Sequence, residues 1–286
     1  MELTAPSAAL LDRWRNDWAA RDNHLQPDRL AGFAELHTLA VVDDGEPVGM
    51  VAVADSAGVA ESFVLDVWTV PQRRGAGVGR RAVSLIEDRT RHRNRTTLRV
   101  RVLPSLPAGM AMFDDYRPTA RHMELPVGDA PDLPPDLTVE PLPAAAFPQW
   151  RHDAIDGFAR QSAASLRTDE TAQRRQAEHI FDTMLPNGVD SPGHEILRLC
   201  HHGTVVAELW LRVEYDDHVF ILNVASRPRF RGRGYGRAAM RLAEARAAQL
   251  GRTTVRLNVF ANNTVAYNLY QDLGYRVTDE HRVKEL

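Results

Sequence analysis

The chain repeats itself, and this repeat limits the fold more than any other feature of the sequence. Residues 63–103 realign with residues 220–260 without a gap. The offset is about 157 positions, and about 18 of roughly 41 aligned positions are identical. Such self-similarity in a chain of 286 residues predicts two tandem copies of one domain of ordinary size.

Each copy has the pattern strand, glycine-rich turn, long helix, strand. The first strands are apolar runs that start at Phe63 and Phe220, and the segments TTLRVRV and TTVRLNV alternate as strands do. A helix that crosses between two strands implies that these strands are parallel neighbours. Upstream, glycine turns at Gly45 and Gly203 separate the strands of predicted hairpins. The sequence therefore predicts an α/β fold.

A segment rich in proline and aspartate separates the copies. It covers residues 126–137 and reads PVGDAPDLPPDL, with few core-forming side chains. We therefore expect an N-terminal domain at residues 1–126, a linker at 127–137 and a C-terminal domain at 138–286.

Composition excludes several classes of protein. The net charge of −3 gives no reason to expect a nucleic-acid partner, and the basic run Arg89–Arg95 is interpreted as the end of a helix. No apolar stretch approaches the roughly 18 residues that a membrane span needs. The N-terminus lacks the pattern of a secretory signal, and the single cysteine, Cys200, is expected to be a buried thiol. We expect a cytoplasmic monomer or homodimer with no membrane partner.

The glycine-rich turns predict anion binding. Each has the pattern Arg-x-x-Gly-x-Gly before a helix, at Arg74–Gly79 and Arg231–Gly236. Glycines let the backbone turn tightly, and the free N–H groups of a new helix attract an anion. The glycine spacing of a dinucleotide site and the Gly-Lys-Ser/Thr of a nucleotide-binding P-loop are both absent.

The second copy resembles the GNAT acetyltransferases. The residues that carry the resemblance are Val224, Pro228, Arg231, Gly232, Gly234 and Gly236, followed by Asn263, Ala266, Tyr270 and the triplet Leu273-Gly274-Tyr275. The resemblance implies a mixed, mostly antiparallel sheet with a central splayed parallel strand pair flanked by helices. It also implies that acetyl-CoA lies in the V-shaped opening, with its pyrophosphate on the turn. The expected binding residues are Val224, Arg231, Gly232, Arg233, Gly234, Tyr235, Gly236, Arg237, Asn263, Ala266 and Tyr270.

The same resemblance gives Tyr270 the role of general acid. The repeat offset places Phe113 at the position of Tyr270 and Leu106 at the position of Asn263. Phenylalanine has no proton to donate, so we expect the first copy to be degenerate. Tyr116 is an alternative acid if that segment bends. A second CoA site in the first copy would use Arg74, Gly75, Gly77, Gly79 and Arg80.

The general base is less clearly marked. Glu208 is the best carboxylate candidate, against the alternative that it is a solvent-facing strand residue. No metal site is expected, because the adjacent His201 and His202 fall at a predicted turn.

Two functions follow from these observations. The first is an N-acetyltransferase that moves acetyl from acetyl-CoA to a primary amine of a small-molecule substrate, with the C-terminal domain active. The alternative is a non-catalytic acyl-CoA sensor or regulatory module, which applies chiefly to the N-terminal domain. The sequence leaves the acceptor open.

Overall fold

The computed structural model describes residues 1–20, 33–128 and 131–286. These residues form two compact units. The first unit consists of Met1–Pro118 together with Glu280–Leu286, and the second unit consists of Thr119–Asp279.

Strands and helices alternate in the first part of the chain. In order they are β1 (Glu2–Thr4), α1 (Ala8–Ala20), β2 (Phe33–Asp43), β3 (Glu46–Ser56), β4 (Glu61–Thr69), α2 (Val78–His92), β5 (Thr97–Val102) and α3 (Pro107–Met112). The order continues with β6 (Arg117–Pro126), β7 (Leu137–Pro141), α4 (Phe147–Leu166), α5 (Glu170–Met184), β8 (His194–His201), β9 (Thr204–Arg212), β10 (His218–Ser226), α6 (Tyr235–Gln249), β11 (Thr254–Phe260), α7 (Thr264–Asp272) and β12 (Arg276–Glu285).

Each unit has a mixed sheet that is mostly antiparallel. The strand order is β1-β2-β3-β4-β5-β12 in the first unit and β6-β11-β10-β9-β8-β7 in the second. The β4–β5 and β10–β11 pairs are parallel, and the other neighbouring pairs within each unit are antiparallel. Both the predicted α/β class and the predicted parallel pair in each copy are therefore confirmed.

The last strand of each unit comes from the other half of the sequence. In the first unit, Glu280–Glu285 of β12 pair with Thr97–Val102 of β5. In the second unit, Ala120–Pro126 of β6 pair with Thr254–Phe260 of β11. These units differ from the domains expected at 1–126 and 138–286, because β6 belongs to the second unit and the C-terminal segment to the first. The expected linker also contributes to packing, since Val127 and Leu133 pack against the core of the second unit.

The hairpins form where the sequence predicts them. Asp44 and Gly45 join β2 to β3 with φ values of 50° and 81°, and His202 and Gly203 join β8 to β9 with φ values of 48° and 73°. Positive φ at both central residues is the requirement of a type I′ turn, whose twist matches that of the flanking strands.

The parallel pairs separate part of the way along. Pairing of β10 with β11 covers only His218–Ile221 and Thr254–Leu257, although both strands continue further. In the first unit β4 and β5 pair only over Glu61–Val64 and Thr97–Val100. The register against the neighbouring antiparallel strand shifts at the equivalent residues Leu222 and Leu65, which form β-bulges. A bulge bends its strand and increases the local twist. Each unit therefore opens a V between its parallel strands.

The basic run Arg89–Arg95 ends α2, as the sequence predicts. Arg93 and Arg95 are held by Asp55 and by backbone carbonyls of the first unit. Cys200 is a buried free thiol, as expected. In the part of the chain that the structure describes, no helix combines the length and apolarity needed to cross a bilayer.

Candidate functional site

The turn before α6 is shaped for an anion. Gly232 and Gly234 have φ values of 73° and 85°, in the left-handed region that favours glycine. Gly234 caps α6, so the amides of Tyr235, Gly236 and Arg237 lie in the first turn of the helix. N–H groups at this position lack intrahelical acceptors, and the helix dipole adds partial positive charge. The turn can therefore receive phosphate oxygens on backbone donors.

Exposed arginines surround this turn. Arg229, Arg231, Arg233 and Arg237 are all exposed. Arg237 approaches Asp272 at 3.3 Å. Among the described residues, no carboxylate oxygen lies within 4.0 Å of the Arg229, Arg231 or Arg233 guanidinium. Three cations beside the free amides thus keep their charge available for an anionic ligand.

The equivalent turn of the first unit has the same backbone but different charge pairing. Gly75 and Gly77 have φ values of 77° and 78°. However, Arg73 donates to Asp43 at 2.6 Å, Arg74 approaches Asp17 at 3.3 Å, and Arg80 donates to the carbonyl of Ala111 at 2.7 Å. Carboxylates of the first unit therefore already pair with Arg73 and Arg74, and a backbone carbonyl of the same unit already accepts from Arg80.

The third glycine of each turn also has a different neighbour. A Cβ added at Gly79 would lie 2.8 Å from Cε of Met112. At the equivalent Gly236 the nearest atom would be Cδ2 of Leu269, at 3.5 Å. The first turn is therefore covered more tightly, by a side chain from α3.

Tyr270 lies on α7, downstream of the splayed strands. Asn263 caps this helix, because its Oδ1 accepts from the Ala266 amide at 3.2 Å, and its Nδ2 donates to Gln161 of α4 at 2.7 Å. The Tyr270 side chain is 6% exposed, and burial raises its pKa to about 12. A phenol in this environment keeps its proton at neutral pH. Of the other expected binding residues, Val224 and Tyr235 are partly buried and pack against the hydrophobic core of the second unit.

Phe113 takes the place of Tyr270 in the first unit. Its ring packs edge-on against Tyr116 at 5.2 Å, and the Tyr270 ring packs against Tyr275 in a tilted arrangement at 6.0 Å. Tyr116 and Tyr275 each directly precede a strand, β6 or β12. Tyr116 is therefore the counterpart of Tyr275. Tyr116 is fully buried and its hydroxyl donates to Glu87 at 2.9 Å, so the structure adds no support to the alternative that Tyr116 replaces the acid.

These two tyrosines face matching glutamates, which the sequence analysis missed. Glu87 and Glu244 are identical residues at equivalent positions of the repeat, on α2 and α6. Lys284 donates to Glu87 at 2.9 Å. In the second unit, the Tyr275 hydroxyl and Glu244 Oε1 are buried and have no hydrogen-bond partner among the described residues. The signal that could have revealed this pair was a glutamate shared by the two copies on an apolar helix face.

Glu208 lies inside the second unit. The residue is 5% exposed, so the alternative that it is a solvent-facing strand residue is wrong. Burial raises the pKa of its carboxyl, against the opposing effect of Arg227. Arg227 donates to Glu208 Oε1 at 2.7 Å and lies 3.5 Å from Asp153 of α4. Glu208 pairs in register with Ala225, beyond the point where β10 leaves β11.

In the first unit, Glu35, His37 and Asp55 have potential metal-binding atoms close together. Arg93 donates to both carboxylates, at 2.5 Å to Glu35 and 3.0 Å to Asp55, and Arg95 lies 3.4 Å from Asp55. Because guanidinium groups already neutralise these carboxylates, the arrangement favours an ion-pair network.

The second unit combines a splayed parallel pair, a glycine-rich turn at a helix start and a capped helix with a buried tyrosine, which is the arrangement that the sequence resemblance implies. The profile of the acetyltransferase (GNAT) family matches residues 7–114 and 160–275. The chain belongs to this family, and it contains two GNAT repeats.

Similar proteins agree with this assignment. YdgE of Bacillus subtilis strain 168, described as an uncharacterised N-acetyltransferase, is 30% identical over 154 residues, which cover 52% of this chain and 98% of YdgE. YycN of the same organism, with the same description, is 29% identical over 114 residues, covering 38% of this chain and 73% of YycN.

Two solved structures have a similar fold. A GCN5-related N-acetyltransferase from Sphaerobacter thermophilus has a TM-score of 0.56 and 20% identity, covering 99% of this chain and 95% of that one. A tandem GNAT protein from the clavulanic acid biosynthesis pathway has a TM-score of 0.50 and 18% identity, covering 99% and 97%.

Proposed function

We propose that this protein is an N-acetyltransferase whose second unit binds acetyl-CoA and transfers the acetyl group to a primary amine. The observation that carries the proposal is the difference between the two turns. Arg229, Arg231 and Arg233 have no carboxylate partner among the described residues and lie beside the helix start. Arg73 and Arg74 of the first turn, in contrast, are paired with carboxylates of their own unit. The CoA pyrophosphate is the anion that this site would bind.

Acetyl transfer would proceed by direct attack. The neutral amine nitrogen attacks the thioester carbonyl, the carbon–sulfur bond breaks, and the departing thiolate takes a proton. Tyr270 is the proposed donor, because burial keeps its phenol protonated. Asn263 and Ala266 support this role by starting the helix that carries Tyr270.

Glu208 is the proposed acceptor of the amine proton, through water. Its position beside the splayed part of β10 and the raised pKa of its buried carboxyl both support this role. A carboxylate in a less polar environment is a stronger base than one in water. Arg227 would hold the carboxylate in place.

The first unit is proposed to support the second without catalysing transfer. Phe113 offers no proton, Met112 covers Gly79, and the arginines of the turn are paired. We therefore expect one acetyl-CoA bound per chain, at the second turn. The expected second site at Arg74, Gly75, Gly77, Gly79 and Arg80 would then stay empty.

The test is a pair of tyrosine variants. Primary amines are screened with the parent protein by following the free thiol of released CoA, and the best acceptor is used. Tyr270→Phe should lower kcat on the order of 100-fold, because the proton donor is lost. Tyr267→Phe, on the same helix, should keep the parent kcat. Calorimetry should give equal acetyl-CoA affinity for all three proteins. Parent-like turnover by Tyr270→Phe would remove Tyr270 from the mechanism.

A further inference from the structure

One side of α4 faces the splayed strands of the second unit. Asp153, Gly157 and Gln161 are spaced four residues apart and so share one side of the helix. Asp153 lies 3.5 Å from Arg227, which directly follows β10, and Gln161 accepts from Asn263, which directly precedes α7. The stripe Asp153–Gly157–Gln161 therefore runs across the carboxyl ends of the two parallel strands.

Gly157 is the middle residue of this stripe. Glycine inside a helix is unfavourable relative to alanine and usually needs a packing reason. A Cβ added here would meet no heavy atom within 4 Å among the described residues, so close packing does not explain the glycine. The bare stretch of backbone leaves room for a ligand to approach the helix here.

The surroundings of Gly157 have both apolar and charged character. Phe158, the next residue, packs edge-on against Phe260 at the end of β11, with ring centroids 5.4 Å apart. The Asp153 side chain is 47% exposed, and its ion pair with Arg227 spans 3.5 Å. Arg227 makes its shorter bond to Glu208. Gln149 also donates to Asp153 Oδ1 at 2.8 Å, which leaves the remaining lone pairs of the carboxylate for another donor.

We propose that the stripe Asp153–Gly157–Gln161 receives the acetyl acceptor, and that this acceptor is a primary amine carrying a second cationic group, which Asp153 binds. The inference rests on the proposed function of the second unit. Gly157 leaves room for the body of the acceptor beside the Phe158 and Phe260 rings. Gln161 and Asn263 offer amide groups at the other end of the stripe.

Three acceptors of matched length test the charge preference. Butylamine, 1,4-diaminobutane and 4-aminobutyrate carry a neutral, a cationic and an anionic group opposite the amine. The parent protein should acetylate the diamine with a kcat/KM about tenfold above that of butylamine, and the aminobutyrate should be the poorest acceptor. Equal rates for the first two, a preference for the aminobutyrate, or no acetylation of the diamine would each overturn the proposal.

Variants at Asp153 and Gly157 test whether these residues bind the acceptor and cause the preference for the diamine. Asp153→Asn should remove the tenfold preference, because the diamine binds more weakly and its KM rises. Asp182→Asn, an equal charge change at an exposed site on α5, should leave the preference intact. Gly157→Leu should raise the KM of every amine about tenfold, and Gly157→Ala should raise it less. Both Gly157 variants have higher helix propensity and should keep or raise Tm. Unchanged KM values in Gly157→Leu would show that the acceptor does not pass here.

Failure of this inference can be told apart from failure of the proposed function. Acetyl-CoA affinity depends on the turn, and the slow release of CoA to water without an acceptor depends also on Tyr270; the variants at Asp153 and Gly157 change neither the turn nor Tyr270. If Tyr270→Phe abolishes that release while the stripe variants leave every amine unaffected, the proposed function stands and the acceptor site lies elsewhere. If the parent neither binds acetyl-CoA nor releases CoA with or without an amine, the proposed function itself fails.

Discussion

At the residue scale, the two glutamate–tyrosine pairs offer a comparison within one molecule. Tyr116 donates to Glu87, whereas the Tyr275 hydroxyl has no partner among the described residues. Removing a made, buried hydrogen bond costs about 1–3 kcal/mol, and removing an unpaired hydroxyl costs little. We predict that Tyr116→Phe lowers the free energy of unfolding by about 1–2 kcal/mol and that Tyr275→Phe leaves it unchanged or raises it.

Chemical denaturation followed by amide exchange would assign each change to its unit. Lys284 also donates to Glu87, so Tyr116→Phe does not leave that carboxylate unpaired. Equal losses in both variants would mean that Tyr275 and Glu244 bond to each other in solution.

The alkaline stability of the second unit should depend on Tyr270. Its pKa is about 12 in the folded protein, above the ordinary value of about 10 for the unfolded chain. The folded state therefore retains the proton longer, and the stabilisation is complete below pH 10 and is lost as pH rises toward 12. In this window the stability of the parent should fall more steeply than that of Tyr270→Phe, by about 1.4 kcal/mol per pH unit. Parallel curves measured by denaturation would contradict the burial of this phenol.

Sequence patterns identified the candidate residues of the site, but they did not reveal the ion pairs that surround these residues. The glycines of both turns and Tyr270 follow from short motifs, because local backbone requirements fix their spacing. The pairing of Arg74 with Asp17 and of Glu208 with Arg227 joins distant segments, so no local pattern encodes it. The difference between an open and a neutralised turn consequently appears only in the folded chain.

At the element scale, the two turns make a matched pair for mutation. Gly77 and Gly234 both cap a helix in the left-handed region, at φ values of 78° and 85°. Alanine at either position should cost about 1–2 kcal/mol of stability. Only Gly234→Ala should also weaken acetyl-CoA binding, by about tenfold or more, because only that turn is proposed to bind the pyrophosphate. Calorimetry on the intact chain measures both affinity and stoichiometry. Two bound molecules per chain, or weaker binding in Gly77→Ala, would contradict this assignment.

The strands and helices of the repeat were predictable because their periodicities are local. The bulges at Leu65 and Leu222 were not, since both residues continue an ordinary apolar strand pattern. A bulge depends on how two strands pair, so the neighbouring strand determines which residue has no pairing partner. The resemblance implied the splay of the strands, but only the register shows where the parallel strands part.

At the scale of the whole molecule, the division of the chain was the expectation that differed most from the structure. The internal repeat ends at residues 103 and 260, before either closing strand begins. Self-comparison therefore carried no information on which half supplies β6 or β12. The proline-rich segment suggested a boundary at 126, yet β6 before that boundary contributes Met123 to the core of the second unit, where it is 1% exposed.

Each unit takes its last strand from the other half of the sequence, and this arrangement predicts which fragment of the chain can fold. Residues 119–279 form a contiguous segment with every strand of the second unit, whereas residues 138–286 lack β6 and leave the edge of β11 unpaired. An unpaired edge strand and an incomplete core favour aggregation and loss of structure. We predict that fragment 119–279 unfolds cooperatively and binds acetyl-CoA, and that fragment 138–286 is aggregated or shows no cooperative transition. Thermal denaturation and calorimetry compare the two directly. If fragment 138–286 folds and binds as well as fragment 119–279, β6 is dispensable and the boundary drawn at the proline-rich segment describes the folding unit after all.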